Sequence, residues 1–302
     1  MKRHCSAMLL AILLFPVLLH ARAEGHFDRT LQVSGTVNLD LTTGSGDVVI
    51  KTGAANQVIV HGSVRSSGDW FSNAEKVVKS VESNPPIRQS GSSIRIGYDL
   101  PEDARHHVSI SYEVTVPADT SVQAHSGSGD LEVQGVRNEV QAQTGSGEIR
   151  VRDTAGRTHV ETGGGGVRAE NVGAPFYAHT GSGDIEGALN GSGDVDVQTG
   201  SGGVHLRGVN GGLHARSGSG DLTADGSVGG PWTLHTGSGS IRLGIGSASG
   251  FNLDVHTSSG SIHSDLPITV QGSLGRHELK GTVHGGGPSV EVSTGSGDVD
   301  IR

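Results

Sequence analysis

The sequence Thr-Gly-Ser-Gly-Glu-Ile-Arg-Val at residues 144–151 sets the pattern of the whole chain. Variants of it recur at spacings of 18 or 19 residues, with their first glycine at Gly127, Gly145, Gly163, Gly181, Gly200, Gly218 and Gly237. Within each copy apolar and polar residues alternate, as in Leu131-Glu132-Val133-Gln134, and no 3.6-residue helical period is present. A fixed period of this length indicates a repeat architecture.

Each copy predicts two short strands separated by two corners. The strands of one copy cannot bury their inner side chains alone, but copies stacked about 4.8 Å apart can. We therefore predict an all-β fold, a parallel β-solenoid with 18–19 residues per rung. We expect the Gly-Ser-Gly corner to use positive φ angles, which glycine adopts readily. The inward column is predicted to contain Val133, Val151, Ala169, Gly187, Leu206, Ala224 and Leu243.

The high glycine content, 50 of 302 residues, is also compatible with a flexible linker. A linker does not place apolar residues in register, whereas here they return to equivalent positions at Leu131, Ile149, Val167, Ile185, Val204, Leu222 and Ile241. The threonines before each corner, such as Thr144 and Thr162, share the inward side of their strands. This position argues against an outward threonine array of the ice-binding kind.

Residues 1–23 predict a secretory signal peptide. Lys2 and Arg3 precede an apolar run, and Ala21-Arg22-Ala23 forms a cleavage site, so the mature chain is expected to begin at Glu24. We expect residues 24–120 to form N-terminal strands with a helix-bearing insertion, continuous with rungs over 121–302. The helix is predicted over residues 69–82, as a cover for an open end or side of the solenoid. Residues 294–301 predict one more rung, at the end of the rod.

The mature chain is acidic. Without its three basic signal residues it has 19 basic and 31 acidic residues, a formal charge of −12. This balance argues against nucleic acid or an anionic membrane surface as a partner. No apolar stretch after the signal approaches about 18 residues, so no membrane span is expected in the mature chain. Cys5 lies in the signal, so neither a disulfide nor thiol chemistry is expected.

Glycine-rich corners raise the question of ligand chemistry. A phosphate loop needs a following helix, and here a strand follows. Calcium-binding solenoids also use 18 residues per turn, but the acidic column after the corner is interrupted, reading Asp130, Glu148, Gly166, Asp184, Gly203, Asp221 and Ser240. Calcium at these corners and structural hydrogen bonding both remain open. No zinc set, nucleophile elbow or clustered acidic groove is evident, so we expect no cofactor and no catalysis.

The Gly-Ser-Gly-Asp rungs, the helix inserted after the first rung, and the closing sequence Gly281-Thr282-Val283 … Gly295-Ser296-Gly297-Asp298-Val299 resemble the DUF4097 family. This family comprises bacterial β-strand-repeat proteins described as adhesins. The resemblance covers nearly all of the mature chain. It implies an exported or envelope-associated β-solenoid and provides no catalytic residue.

We therefore expect an exported repeat protein, in the periplasm, at the cell surface or outside the cell. It would present an extended β surface for adhesion to a glycan or to an envelope or surface protein. A glycan-acting hydrolase or lyase and a passive envelope scaffold are the alternatives. The outward residues after the corner mix both charges and can pair between rungs. The opposite face offers more neutral hydrogen-bonding groups, and its candidate binding residues are His159, Tyr177, His179, Gln198, His214 and His235.

Overall fold

The structure, a computed structural model, describes residues 23–66, 74–105, 107–246, 249–270 and 275–302. Within these ranges the chain forms 25 strands and two helices. Most strands pair in parallel with the equivalent strand of the next rung, so the predicted all-β solenoid is confirmed. The signal peptide predicted over residues 1–23 lies outside the described residues, except for Ala23.

Strands that precede a corner stack into one sheet, which we call the front ladder. Its parallel strands are β2 (Val37–Thr43), β6 (Ser93–Ile96), β8 (Thr120–Ser126), β10 (Val140–Thr144), β12 (Thr158–Thr162), β14 (Phe176–Thr180), β16 (Val195–Thr199), the second halves of β17 (Val204–Ser217) and β18 (Leu222–Thr236), β20 (Phe251–Ser259) and β24 (Ser289–Ser296). Antiparallel strands extend it at both ends: β5 (Ile87–Ser90) at one, and β22 (Ile268–Val270) and β23 (Glu278–Val283) at the other.

Strands that follow a corner form the back ladder. Its parallel strands are β3 (Val48–Thr52), β7 (Val108–Val116), β9 (Leu131–Gln134), β11 (Ile149–Thr154), β13 (Val167–Val172), β15 (Ile185–Leu189), the first halves of β17 and β18, β19 (Ile241–Ile245), β21 (Ile262–Ser264) and β25 (Val299–Ile301). Two antiparallel strands, β4 (Gln57–Ser66) and β1 (Glu24–Gln32), continue it beyond β7.

The core lies between the two ladders and is built mainly of Val, Leu, Ile and Ala. The predicted inward column is confirmed residue by residue: Val133 pairs with Val151, Gly187 with Leu206, and every intervening step follows the same register. Leu206 is 0 % exposed. The period-2 alternation therefore defines both the buried and the exposed side of every rung.

Buried threonines tie each corner to its neighbour. The Thr162 hydroxyl donates to the Gly147 carbonyl of the preceding rung at 2.8 Å and accepts from the Gly165 N–H at 3.2 Å. Equivalent bonds to the preceding rung are made by Thr144, Thr180, Thr199, Ser217 and Thr236. These side chains are buried, which confirms their inward direction. They satisfy backbone groups that the turn leaves without a strand partner.

The explanation expected for the corner glycines is wrong. Among the described residues, no glycine of the corners that open at Gly127, Gly145, Gly163, Gly181, Gly200, Gly218 and Gly237 has positive φ. That conformation occurs at the second corner of the rung, at Gly135, Asp153 and Asn171, and at Gly193 of the Gly-Ser-Gly sequence that lies there. The corner glycines are required instead because the stacked corners approach closely. A Cβ on Gly165 would lie 1.9 Å from the Gly147 carbonyl oxygen of the preceding rung.

The order of rungs at both ends departs from the order of the sequence. The rung of β24 and β25, expected at the end of the rod, lies between the rung of β18 and β19 and the rung of β20 and β21. At the other end, β2 lies between β6 and β8, and β3 lies between β7 and β9. The antiparallel strands outside these rungs pair with edges that would otherwise be free.

Helix α1 (Ala74–Ser83) covers the N-terminal end of the core, as predicted; residues 69–73 of the expected helix lie outside the described residues. It packs on β1 and β4 through the buried side chains of Val78 and Val81. Gly25 leaves room for it, and the Glu82 carboxylate accepts the His26 N–H at 2.8 Å. A second helix, α2 (Glu102–Arg105), is a single turn before β7.

Candidate functional site

The six predicted binding residues lie together on the outer side of the front ladder. Two adjacent columns run along the solenoid axis. The first column contains Gln141, His159, Tyr177, Asp196 and His214. The second column contains His125, Gln143, Glu161, His179, Gln198, Arg216 and His235. The six residues span five consecutive rungs, about 19 Å at the usual strand spacing.

Some side chains on this face hold one another. His159 Nε2 lies 2.7 Å from Glu161 Oε1, and the His159 ring lies 6.0 Å from the Tyr177 ring, tilted by 37°. Gln198 donates to Asp196 Oδ1 at 3.1 Å, within its own strand. These contacts orient the rings and amides without burying them.

Other side chains on this face have no partner. Within the described parts of the chain, His179, His214 and Arg216 form no side-chain hydrogen bond, ion pair or ring contact. His179 and Arg216 are exposed and His214 is half-buried. Their hydrogen-bonding groups are therefore free for a ligand.

A groove runs beside the second column, between its side chains and the Gly-Ser-Gly corners. We call it the axial groove. Its volume is about 500 Å³, and its wall is formed by His125, Gln143, Glu161 and His179. Its floor contains the exposed backbones of Gly145, Gly163 and Gly181, which have no side chain to fill it.

The sequence did not predict a second depression at the N-terminal end of the same face. It is lined by Asp40, Arg95, Gln123, Glu139 and Gln141, with neighbouring Ser and Asn residues. These residues meet because β6 stacks on the far side of β2, which the chain order does not reveal. The alternation of polar and apolar residues within Ser93–Ile96 was the one sequence feature that pointed to this site, since it predicts that Arg95 faces outward.

Tyr98 contacts two residues that line this second depression. The Arg95 guanidinium lies 4.2 Å from the centre of the Tyr98 ring, a cation–π contact, and the Tyr98 hydroxyl donates to Asp40. Burial, followed by this hydrogen bond to the carboxylate, raises the pKa of Tyr98. The hydroxyl therefore stays protonated at neutral pH and keeps its hydrogen bond to Asp40.

The outer side of the back ladder is different because its charges pair between rungs. Arg152 lies 2.6 Å from Glu132, Arg168 lies 3.1 Å from Glu186, and Arg150 lies 3.7 Å from Asp130, each pair joining adjacent rungs. The hydrogen bond and charge of Glu186 raise the pKa of Arg168. These charged groups pair with one another, as the alternation of charges in the sequence indicated, although Arg152 Nε is buried without a hydrogen-bond partner among the described residues.

Corner carboxylates are engaged by the backbone. Asp184 Oδ1 accepts the Gly203 N–H of the next rung at 2.7 Å, and Asp221 Oδ1 accepts the Ser240 N–H at 2.8 Å. Two of the three neutral residues that interrupt the acidic column, Gly203 and Ser240, thus donate their N–H to the carboxylate of the rung before them. No group of three or more His, Cys, Asp or Glu side chains within the described ranges is arranged to hold a metal ion.

In the part of the chain that the structure describes, every helix is too short or too polar to cross a membrane.

Comparison with known proteins identifies a family. The family model Toastrack DUF4097 matches residues 36–302. A search of curated proteins finds no match. Among solved structures, the chain is similar to a Clostridium sporogenes protein described as a putative cell adhesion protein. That similarity covers 92 % of this chain and 98 % of the other, with 13 % identity and a TM-score of 0.26.

Proposed function

We propose that this chain, which belongs to the Toastrack DUF4097 family, is an exported, non-catalytic repeat protein that binds a surface partner through the outer side of its front ladder. One observation carries the proposal: the two faces of the solenoid differ in how far they satisfy their own polar groups. The back ladder pairs Arg150, Arg152 and Arg168 with acids. The front ladder leaves His179 and His214 without partners.

The shape of the front ladder supports the same face. Parallel strands in register hold its side chains in straight columns, and residues of both columns are half-buried or exposed. Two depressions open on this side of the molecule. A flat array of hydrogen-bonding groups can make many weak contacts at once, which is how an extended surface gains avidity.

Attachment of the purified chain, residues 24–302, to immobilised glycans and to envelope fractions tests this proposal. Replacing His159, Tyr177 and His179 together by Ala should abolish attachment, because it removes both rings and a free imidazole from adjacent rungs. The melting curve should be preserved, since all three side chains point outward.

The matched control replaces Arg150, Arg168 and Arg207 by Ala on the back ladder. It removes the surface ion pairs of Arg150 and Arg168, which contribute about 0–1 kcal/mol each, and the hydrogen bond from Arg207 to His205. Attachment should remain. Loss of attachment in the control alone would show that the binding face is the back ladder. A chain that attaches to nothing would favour a passive envelope scaffold.

Export belongs to the same proposal. β1 begins at Glu24, immediately after the predicted cleavage site, so removal of residues 1–23 would leave every described strand intact. Mass spectrometry of the exported protein should find Glu24 as its first residue. A membrane-bound species that retains Met1 would contradict cleavage at Ala23.

A further inference from the structure

We propose that the axial groove binds a neutral, extended, β-linked polysaccharide, with the sugar chain parallel to the solenoid axis and about one sugar per rung. This inference rests on the proposed function and names the ligand class of the same face. It follows from the period of the groove, the charge of its wall and the state of its floor.

The period of the groove favours a polymer. Its wall residues occupy the same position in successive strands, because His125 pairs with Gln143, Gln143 with Glu161, and Glu161 with His179. Equivalent groups therefore repeat about every 4.8 Å along a straight line. A sugar ring in an extended β-linked chain advances by nearly the same distance. Such a chain can offer a hydroxyl to every rung without losing register.

The charge of the wall favours a neutral polymer. Of the four wall residues, Glu161 is the only Asp, Glu, Lys or Arg, and two rungs beyond the wall Arg216 of the same column has the opposite charge. A polyanion or a polycation would gain little along such a column. Imidazole and amide groups both donate and accept hydrogen bonds, which suits hydroxyls.

The floor of the groove argues against an extended peptide. The N–H groups of Gly145, Gly163 and Gly181 already donate to carbonyls of the preceding rung, each at 3.2 Å. A peptide that adds to a sheet depends on free backbone N–H and C=O groups at an edge, and the N–H groups of this floor are already engaged. A saccharide binds through its hydroxyls to side chains, so it does not depend on free backbone groups in the floor. The missing side chains also let a broad ring approach the backbone.

Titration calorimetry with cello-oligosaccharides and chito-oligosaccharides of two to eight sugars tests the inference on the purified chain. The Kd should fall roughly threefold to tenfold with each added sugar, the range that one net hydrogen bond supplies, until the oligosaccharide spans the groove. The double variant Gln143→Ala with His179→Ala should weaken binding of the longest oligosaccharide about tenfold or more. Gln134→Ala is the matched control, since Gln134 is a half-buried outward residue of the back ladder, and it should bind as the parent does.

Binding that does not strengthen with chain length, or that survives the double variant, would overturn the inference. Attachment to envelope fractions through the front ladder without binding of either oligosaccharide series would overturn it too, and would leave the proposed function standing. Failure of both assays would refute both. If the double variant and Gln134→Ala have equal melting temperatures, the loss of binding in the double variant is not caused by unfolding.

Discussion

Two neighbouring glycines of one corner provide the sharpest test of how the rungs are held together. Gly165 would place a Cβ 1.9 Å from the Gly147 carbonyl oxygen and 2.5 Å from the carbonyl carbon of the same residue. Gly164 would place a Cβ in nearly open space, with its nearest neighbour, Ser146 Cα, at 3.9 Å. Neither glycine has positive φ, so Ala causes no conformational strain at either position. Only the steric clash distinguishes Gly165→Ala from Gly164→Ala.

The expected cost follows from what surrounds the clash. The Gly147 carbonyl cannot move freely, because it accepts the Thr162 hydroxyl at 2.8 Å, and the Gly163 N–H donates to the Thr144 carbonyl at 3.2 Å. Overpacking costs about 1–3 kcal/mol where side chains yield. Here backbone meets backbone and a buried hydrogen bond is strained, so Gly165→Ala should cost about 3 kcal/mol or more. Gly164→Ala should be neutral or stabilise by up to about 1 kcal/mol, since it restricts the unfolded chain.

Thermal unfolding followed by circular dichroism should show the difference. A loss of about 3 kcal/mol corresponds to a melting temperature roughly 6–12 °C lower for a domain of this size. Hydrogen exchange should place the new instability at the rungs around residues 144–166, because a repeat protein couples mainly to its nearest neighbours. Equal melting temperatures for the two variants would refute close corner stacking as the reason for the glycines.

Four further outcomes are expected. Leu206→Asp places an unpaired charge in the core and should cost several kcal/mol in denaturant unfolding, whereas Arg207→Asp should stay within about 0.5 kcal/mol; similar losses at both would contradict the register. Thr162→Val should cost about 1–3 kcal/mol by the same assay, because it leaves two buried backbone groups unpaired, and Thr162→Ser should restore most of it. EDTA should leave the melting temperature nearly unchanged, because backbone N–H groups engage the corner carboxylates; a fall of more than about 10 °C would favour calcium. Hydrogen bonds from the Ser261 N–H and hydroxyl lower the pKa of Asp298 in the folded protein. The ionised Asp298 therefore stabilises the fold above the ordinary Asp pKa, and this stabilisation is lost as the pH falls through the lowered folded pKa. Asp298→Asn should therefore show a smaller fall in melting temperature than the parent below about pH 4.

Periodicity in the sequence was enough to predict the solenoid and its register. The buried column through Val151 and Leu206, and the inward threonines, follow from alternation alone because a strand has a period of two. The order of rungs at the ends could not be predicted, since every Gly-Ser-Gly corner is chemically equivalent and can stack on any other. Pairing of β23 with β20, and of β20 with β24, decides that order through contacts remote in sequence.

The reason why the corners contain glycine also could not be inferred from the sequence of a single rung. A glycine needed for positive φ and a glycine needed for close approach look the same in a sequence, and only the neighbouring rung distinguishes them. The candidate face was partly predictable, because the columns containing His159 and His179 follow from the period. The axial groove was not, since it depends on which glycine backbones remain exposed once the corners are stacked.

The out-of-order rungs at both ends have a consequence for how this protein can change in evolution. Each end is closed by strands that return from elsewhere in the chain, so a repeat cannot be added or removed there without breaking a closure. Between Val140 and Gly226, in contrast, each rung stacks only on its neighbours in sequence, and duplication or deletion of one 18-residue unit would preserve every other pairing. The number of middle rungs can therefore vary while the closures stay constant. The length of the exposed face, and with it the reach of the molecule, is a quantity that gene duplication can adjust one rung at a time.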